Sequence, residues 1–272
     1  MRLDLHLHTT ASDGAWSPTR VVEGAARGGL HVIAIADHDT TAGVAEAQEA
    51  GRRERVQVIP ALEVSSTWRD REIHVLGYFV DPDHPDLVAH RGRAEELRRR
   101  RMKEMVDRLA DDGVEVPFAE VEEAAGPDAG ALARPHLAKV LVAHGHVGSV
   151  PAAFHKLIGD DHPAFVPTRL MSPVEAVAMI HRAGGLASWA HPPRDLLDEL
   201  LPELVDGELD ALEIYRASNK RNAVVRLEGL ARSHGLLRTG GSDWHTPDSG
   251  WELGDFHVTA DEVEHFLDRG GL

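Results

Sequence analysis

The sequence predicts an α/β barrel interrupted by a helical subdomain. Short β-type runs alternate with helical stretches in both outer parts of the chain, the rhythm of a parallel sheet with helices outside. Seven such runs can be counted, and six carry a His, Asp or Glu at or near the C-terminal end. The rhythm stops at about residue 84, gives way to charged helical sequence, and resumes near residue 166.

In MRLDLHLHTTASDG, Leu3, Leu5 and Leu7 share one strand face while Asp4, His6 and His8 share the other, because side chains alternate along a strand. A Thr-rich turn then brings Asp13 beside Gly14. Ser17-Pro18-Thr19 opens a helix to about residue 26, with Pro18 in its first turn. A buried strand over 31–39 and a helix over 41–51 follow. A strand over 56–66 closes on Glu63, and the run over 71–80 carries His74 as the next strand of the same rhythm.

From Pro85 to about Asp112 the pattern is helical, with Leu97, Met102, Met105 and Leu109 at helical spacing. Further helices are expected over 117–125, 134–145 and 150–158. The helix over 173–183 ends at Gly184-Gly185, and LASWAH (186–191) is a strand ending in His191. A strand over 209–215, a helix over 219–234 and a strand over 236–245 complete the barrel; 256–260 is a short edge strand and the end is helical. The expected division is a discontinuous barrel over 1–84 and 166–272, with an inserted helical cap over 85–165.

Composition narrows the function. The chain has 272 residues, 42% hydrophobic and 27% charged, enough for a sizeable core in an ordinary soluble domain. No apolar run approaches a membrane span, and a strand beginning at the second residue leaves no room for a signal peptide. The absence of Cys removes thiolate metal sites and fits a cytoplasmic home. A net charge of −16 argues against binding duplex nucleic acid, which needs a basic face. It does not argue against a phosphorylated substrate, since carboxylates gathered around divalent cations enter the count while the loaded site is positive.

The candidate metal ligands are those at the strand ends. With 18 His in the chain, roughly one His-x-His pair is expected by chance, and His144-Gly145-His146 reads as surface. The pair His6 and His8 gains meaning because Asp13, Asp37, His38, Asp39, Glu63, His74, His191, Asp243 and His245 recur at comparable positions. In a β/α barrel those ends open on one face, where the active site lies. Nitrogen and oxygen donors without sulfur suit Mn, Fe or Zn. Two such ions about 4 Å apart can share a hydroxide and polarise phosphoryl oxygens.

Four stretches, HLHTTASDG (6–14), ADHDT (36–40), AHP (190–192) and GSDWH (241–245), with Glu63 and His74 between them, resemble the PHP family, named for polymerase and histidinol phosphatase. The resemblance implies a distorted seven-stranded β/α barrel and a trinuclear centre. One metal would take His6, His8, Glu63 and Asp243; a second would share Glu63 and add His74 and His191; a third would take Asp13, His38 and His245. Two or three divalent ions would be bound. Asp13 stands where some relatives have His, and its added negative charge favours manganese or iron. Asp37 and Asp39 would orient His38 or cap the following helix.

LARPHLAKVL (132–141) resembles the segment with which relatives carrying such an insert hold a substrate phosphate. Arg134 would bind it with His136 beside it, and Arg99 or Arg101 from the first cap helix would add contacts. The implied activity is hydrolysis of the 3′-phosphate of nucleoside 3′,5′-bisphosphates, or of 5′-phosphorylated short single-stranded RNA. A histidinol-phosphate-type phosphatase and a non-catalytic module like that of bacterial replicative polymerases are the alternatives.

Overall fold

The computed structural model describes residues 1–126, 132–167 and 170–272. The first half-barrel runs β1 (Arg2–Leu7), α1 (Pro18–Arg27), β2 (Val32–Ile35), α2 (Val44–Glu54), β3 (Gln57–Trp68) and β4 (Arg71–Tyr78). The insert contains α3 (Pro85–Asp111), α4 (Phe118–Ala125), α5 (Arg134–Ala143) and α6 (Val150–Ala153), the last passing into a π-helical turn, Phe154–Ile158. The second half-barrel runs α7 (Pro173–Arg182), β5 (Leu186–Trp189), α8 (Leu197–Asp206), β6 (Ala211–Tyr215), α9 (Arg221–His234) and β7 (Leu237–Gly240). A two-residue β8 (Val258–Thr259) and α10 (Glu264–Gly270) end the chain. Sequence reading passed over α8, whose Leu197, Leu200, Leu201 and Leu204 are buried at helical spacing despite Pro202 inside it.

The strands form one sheet in the order β7-β6-β5-β4-β3-β2-β1-β8. Seven carry the barrel, and β8 lies antiparallel on the edge of β1. The parallel rhythm fails at one place. β4 pairs antiparallel with both β3 and β5, because the chain reverses at once through Arg69 and Asp70, both at positive φ (47° and 63°). Two such residues make the tight turn whose twist suits a hairpin. His74 therefore lies within its strand, opposite Ser65, and reaches the mouth because β4 begins there.

Closure comes from the segment after β7. Asp243 N–H donates to His6 O at 2.9 Å and His8 N–H to Trp244 O at 3.0 Å. A Cβ on Gly241 would lie 2.5 Å from the His6 nitrogen, so only glycine lets the backbones approach this closely.

The main apolar core lies between sheet and helices, where strand residues such as Leu3, Leu5, Leu62, Val75 and Leu212, alternating with those that face the centre, cluster with residues of α7 and α8. A separate apolar cluster between residues 102 and 166, including Met102, Met105, Leu109, Val121, Leu137 and Leu141, holds the insert together. Helix α3 joins the two. Leu87 near its start packs into the barrel core, while Met102 and Leu109 belong to the other cluster.

Midway along α3, one face carries His90, Ala94 and Arg98, spaced four residues apart and all buried. Arg98 Nε and Nη2 donate to Asp39 Oδ2 at 2.9 and 2.6 Å, and His90 Nε2 lies 2.8 Å from Oδ1. Removing one partner of a buried ion pair strands the other charge. Arg98→Ala is therefore expected to lower stability by roughly 3 kcal/mol in urea unfolding. Arg99→Ala, which breaks an exposed pair with Glu122 and a partly exposed ring contact with Phe118, is expected to change it by less than about 1 kcal/mol.

Candidate metal centre

Strand alternation points His6 and His8 the same way off the end of β1, and both are fully buried. The turn that follows is held by Asp37, which accepts from Thr9 N–H, Thr9 Oγ1 and Ser12 Oγ, each at 2.7 Å. This turn carries Asp13 back towards His8, with its Oδ1 3.8 Å from His8 Nδ1. His38 follows β2, Glu63 lies within β3, His191 follows β5, and Asp243 and His245 follow β7. His191 and Asp243 have positive φ, 31° and 58°, an uncommon state for non-glycine residues that clusters at functional sites.

Glu63 is the hub. Its Oε2 lies 3.3 Å from His6 Nε2, 3.3 Å from His8 Nε2 and 3.2 Å from His38 Nδ1. Its Oε1 lies 2.9 Å from His74 Nδ1 and 2.8 Å from His191 Nε2. Asp243 Oδ1 lies 3.5 and 3.3 Å from His6 and His8 Nε2, and Asp13 Oδ1 3.3 Å from His245 Nε2. Among the described residues, three donor groups lie within 4.8 Å: His6, His8, Glu63 and Asp243; His8, Asp13, His38 and His245; His38, Glu63 and His74. His191 stands beside the third, 3.3 Å from His74 Nδ1. The nine residues that the resemblance implied as ligands thus lie together.

The donors fit divalent cations. Glu63 Oε2, His6 Nε2, both ring nitrogens of His8, and His38 Nδ1 are buried without a hydrogen-bond partner. Leaving such atoms unpaired is costly, and a cation is what a convergent set of lone pairs can be donated to. Neighbours set the ring orientation. Glu213 Oε1 lies 2.8 Å from His6 Nδ1 and Glu72 Oε1 3.3 Å from His74 Nε2, which leaves the other nitrogen facing the centre. Glu213 also accepts the His191 N–H at 2.6 Å, and Arg216 Nη2 donates to Asp243 Oδ2 at 2.8 Å. Sequence reading missed Glu213. Its signal was a lone carboxylate inside the apolar run ALEIY, hidden because it lies mid-strand.

Four sequence-based expectations are corrected. Neither Asp37 nor Asp39 orients His38 or caps α2: Asp37 braces the Thr9–Ser12 turn, and Asp39 binds Arg98, His90 and the Ser65 N–H. His136 is buried and accepts the Ala133 N–H through Nδ1, capping its own helix. Arg99 points to the outer face, over the Phe118 ring and onto Glu122. Arg101 and Arg134 do reach the cleft beside Asp13, His38 and His74.

Without cations the cluster holds protons. Burial opposes charge on His8 and His74, but Asp243 and Glu63 for the first and Glu63 and Glu72 for the second raise each to about 10. Burial likewise opposes ionisation of Glu63, yet the surrounding imidazoles hold it well below the usual carboxylate range.

Residues 4–91 match the family model described as the PHP domain. The chain is 34% identical to the 5′-3′ exoribonuclease Rnm of Escherichia coli (strain K12), over 92% of this chain and 87% of the relative. It is 32% identical to a 3′,5′-nucleoside bisphosphate phosphatase of Chromobacterium violaceum, over 91% and 88%. It is 34% identical to a phosphoribosyl 1,2-cyclic phosphate 1,2-diphosphodiesterase of Eggerthella lenta, over 89% and 93%. A crystal structure from Bifidobacterium adolescentis, described as a candidate metal-dependent phosphoesterase, superposes with a TM-score of 0.89 at 35% identity, covering 98% and 96% of the two chains. Fold and donor set define a metal-dependent phosphoric ester hydrolase. The chain belongs to the PHP family.

Two outcomes follow from the hub. Glu63 belongs to two of the three donor groups, so Glu63→Ala is expected to lower metal content by more than one ion per chain, read by elemental analysis. His8 and His74 have folded pKa values raised from 6.5 to about 10, so their contribution is complete below pH about 6.5 and lost as pH rises through 10. The melting temperature of chelator-stripped protein is expected to fall over that window. Manganese-loaded protein, whose imidazoles are held neutral by ligation, is expected to lack this alkaline fall.

Proposed function

We propose that His6, His8, Asp13, His38, Glu63, His74, His191, Asp243 and His245 hold two or three divalent cations, with manganese preferred. We further propose that the enzyme removes the 3′-phosphate of nucleoside 3′,5′-bisphosphates and trims 5′-phosphorylated short RNA. Cations so held lower the pKa of water and polarise phosphoryl oxygens.

One observation carries the substrate assignment. A cleft of about 330 Å³ places Arg101 and Arg134 opposite Asp13, His38 and His74. Arg101 Nη2 is buried there without a hydrogen-bond partner. Burial, with the Arg134 and Arg98 charges set against Glu72, pushes its pKa down to about 10. A bound phosphate relieves that repulsion and supplies the missing acceptor. Arg134 is flanked by the Phe154 and Phe165 rings at 5.5 and 5.1 Å and paired at 2.5 Å with Asp160, whose side chain is 72% exposed. Exposed pairs are worth little, so a phosphate can displace Asp160.

The substrate then spans two places, with one phosphate among the nine donors and the other under the cap. Holding the 5′-phosphate at Arg101 and Arg134 leaves the 3′-phosphate at the metals. A simple monophosphate such as histidinol phosphate would use only half of this arrangement. The convergence of all nine donors disfavours a purely structural module.

Adenosine 3′,5′-bisphosphate is expected to give 5′-AMP and inorganic phosphate, resolved by chromatography. Arg134→Ala is expected to lower kcat/KM on the bisphosphate by roughly ten- to a hundredfold, the worth of a charge-assisted contact, and to spare an aryl phosphate. Release of 3′-AMP would reverse the orientation, and equal losses on both substrates would remove Arg134 from the phosphate site.

A further inference from the structure

We infer that the metal centre has a second substrate subsite, on the side away from the cap, which stacks the nucleobase following the scissile phosphodiester of single-stranded RNA. The inference rests on the functional reading above and deepens it. A cleft of about 350 Å³ is lined by Arg216, Asp243, Trp244, His245, Trp251 and Phe256 among others. It shares no lining residue with the arginine cleft. Each borders a different part of the cluster, the first through Asp243 and His245, the second through Asp13, His38 and His74.

The character of this cleft suits a base better than a phosphate. Arg216 is its cation, but its charge is matched by Asp243 at 2.8 Å and Glu213 at 3.4 Å. Asp4 and Glu252 add acid to the wall. What the cleft offers freely is aromatic surface. Trp251 is 51% exposed, one of few large apolar side chains left so open among the described residues. Its position is set from the metal loop, because Trp244, between Asp243 and His245, donates its indole N–H to Trp251 O at 3.0 Å. Aromatic stacking is how single strands are held without sequence readout.

The chemistry explains why only RNA needs this site. Water adds to phosphorus, the P–O3′ bond of the terminal nucleotide breaks, and a proton ends on the 3′-oxygen. In a bisphosphate the phosphoryl group carries nothing further and leaves as inorganic phosphate. In RNA it stays on O5′ of the next nucleoside, which must lie beyond the metals on the side away from the arginine cleft. The shortened strand keeps a 5′-phosphate, the group that cleft takes in the next round.

The test compares manganese-loaded wild type, Trp251→Ala and Trp251→Phe on a 5′-phosphorylated tetraribonucleotide and on adenosine 3′,5′-bisphosphate. Trp251→Ala is expected to lower kcat/KM on the RNA by about ten- to a hundredfold, chiefly through KM. On the bisphosphate it should stay within about twofold, and Trp251→Phe should restore most of the RNA activity. Equal losses on both substrates, no loss on RNA, or a wild type that cleaves the bisphosphate but not the RNA would overturn the subsite alone. A wild type inert on both would overturn the functional reading and the subsite with it.

Discussion

A fully buried carboxylate, Glu63, ringed by five imidazoles is the constraint on which the rest of the structure depends. Burying charge is tolerable only when it is compensated, and here the compensation is arranged for cations. The five histidines come from β1, the β2 and β5 ends and the reversed strand β4, so the barrel must close accurately for them to meet. Gly241 against the His6 backbone, the β3–β4 hairpin, and positive φ at His191 and Asp243 all serve that meeting.

The second layer of carboxylates works by orientation. Glu213 and Glu72 each take one side of a ring and so decide which nitrogen faces inward. Asp39 does something different. Its oxygens are spent on Arg98 and His90 of the cap helix, so the residue beside His38 in sequence is the pin between barrel and insert. Cap position and metal-loop position are tied through one buried side chain.

The run Arg98–Arg101 shows how helical geometry divides neighbours. Successive residues are about 100° apart around a helix, and the chemistry changes with each. Arg98 is buried on Asp39, Arg99 lies over Phe118 at the surface, and Arg101 reaches the cleft. In a chain of net charge −16, the cleft sets the guanidiniums of Arg98, Arg101 and Arg134 against the carboxylates of Asp13, Glu72 and Asp160.

The sequence by itself determined the barrel, the helical stretch within it and eleven candidate donors, because strand period and strand-end position are local properties that survive without coordinates; the resemblance to the PHP family narrowed these to nine. The sequence placed Glu63 and His74 in the site although one lies mid-strand and the other on a strand running the opposite way. That reversal had a local signal that went unread, since the four residues between the runs 56–66 and 71–80 are too few for the crossover that parallel strands need. Only the tertiary structure assigned Asp37 to a turn, Asp39 to the cap helix and His136 to its own helix end, because an Asp or His beside a site shows its type and not its direction. Glu213 was invisible for the same reason: its partners His6 and His191 are distant in sequence and adjacent only when the sheet curls shut.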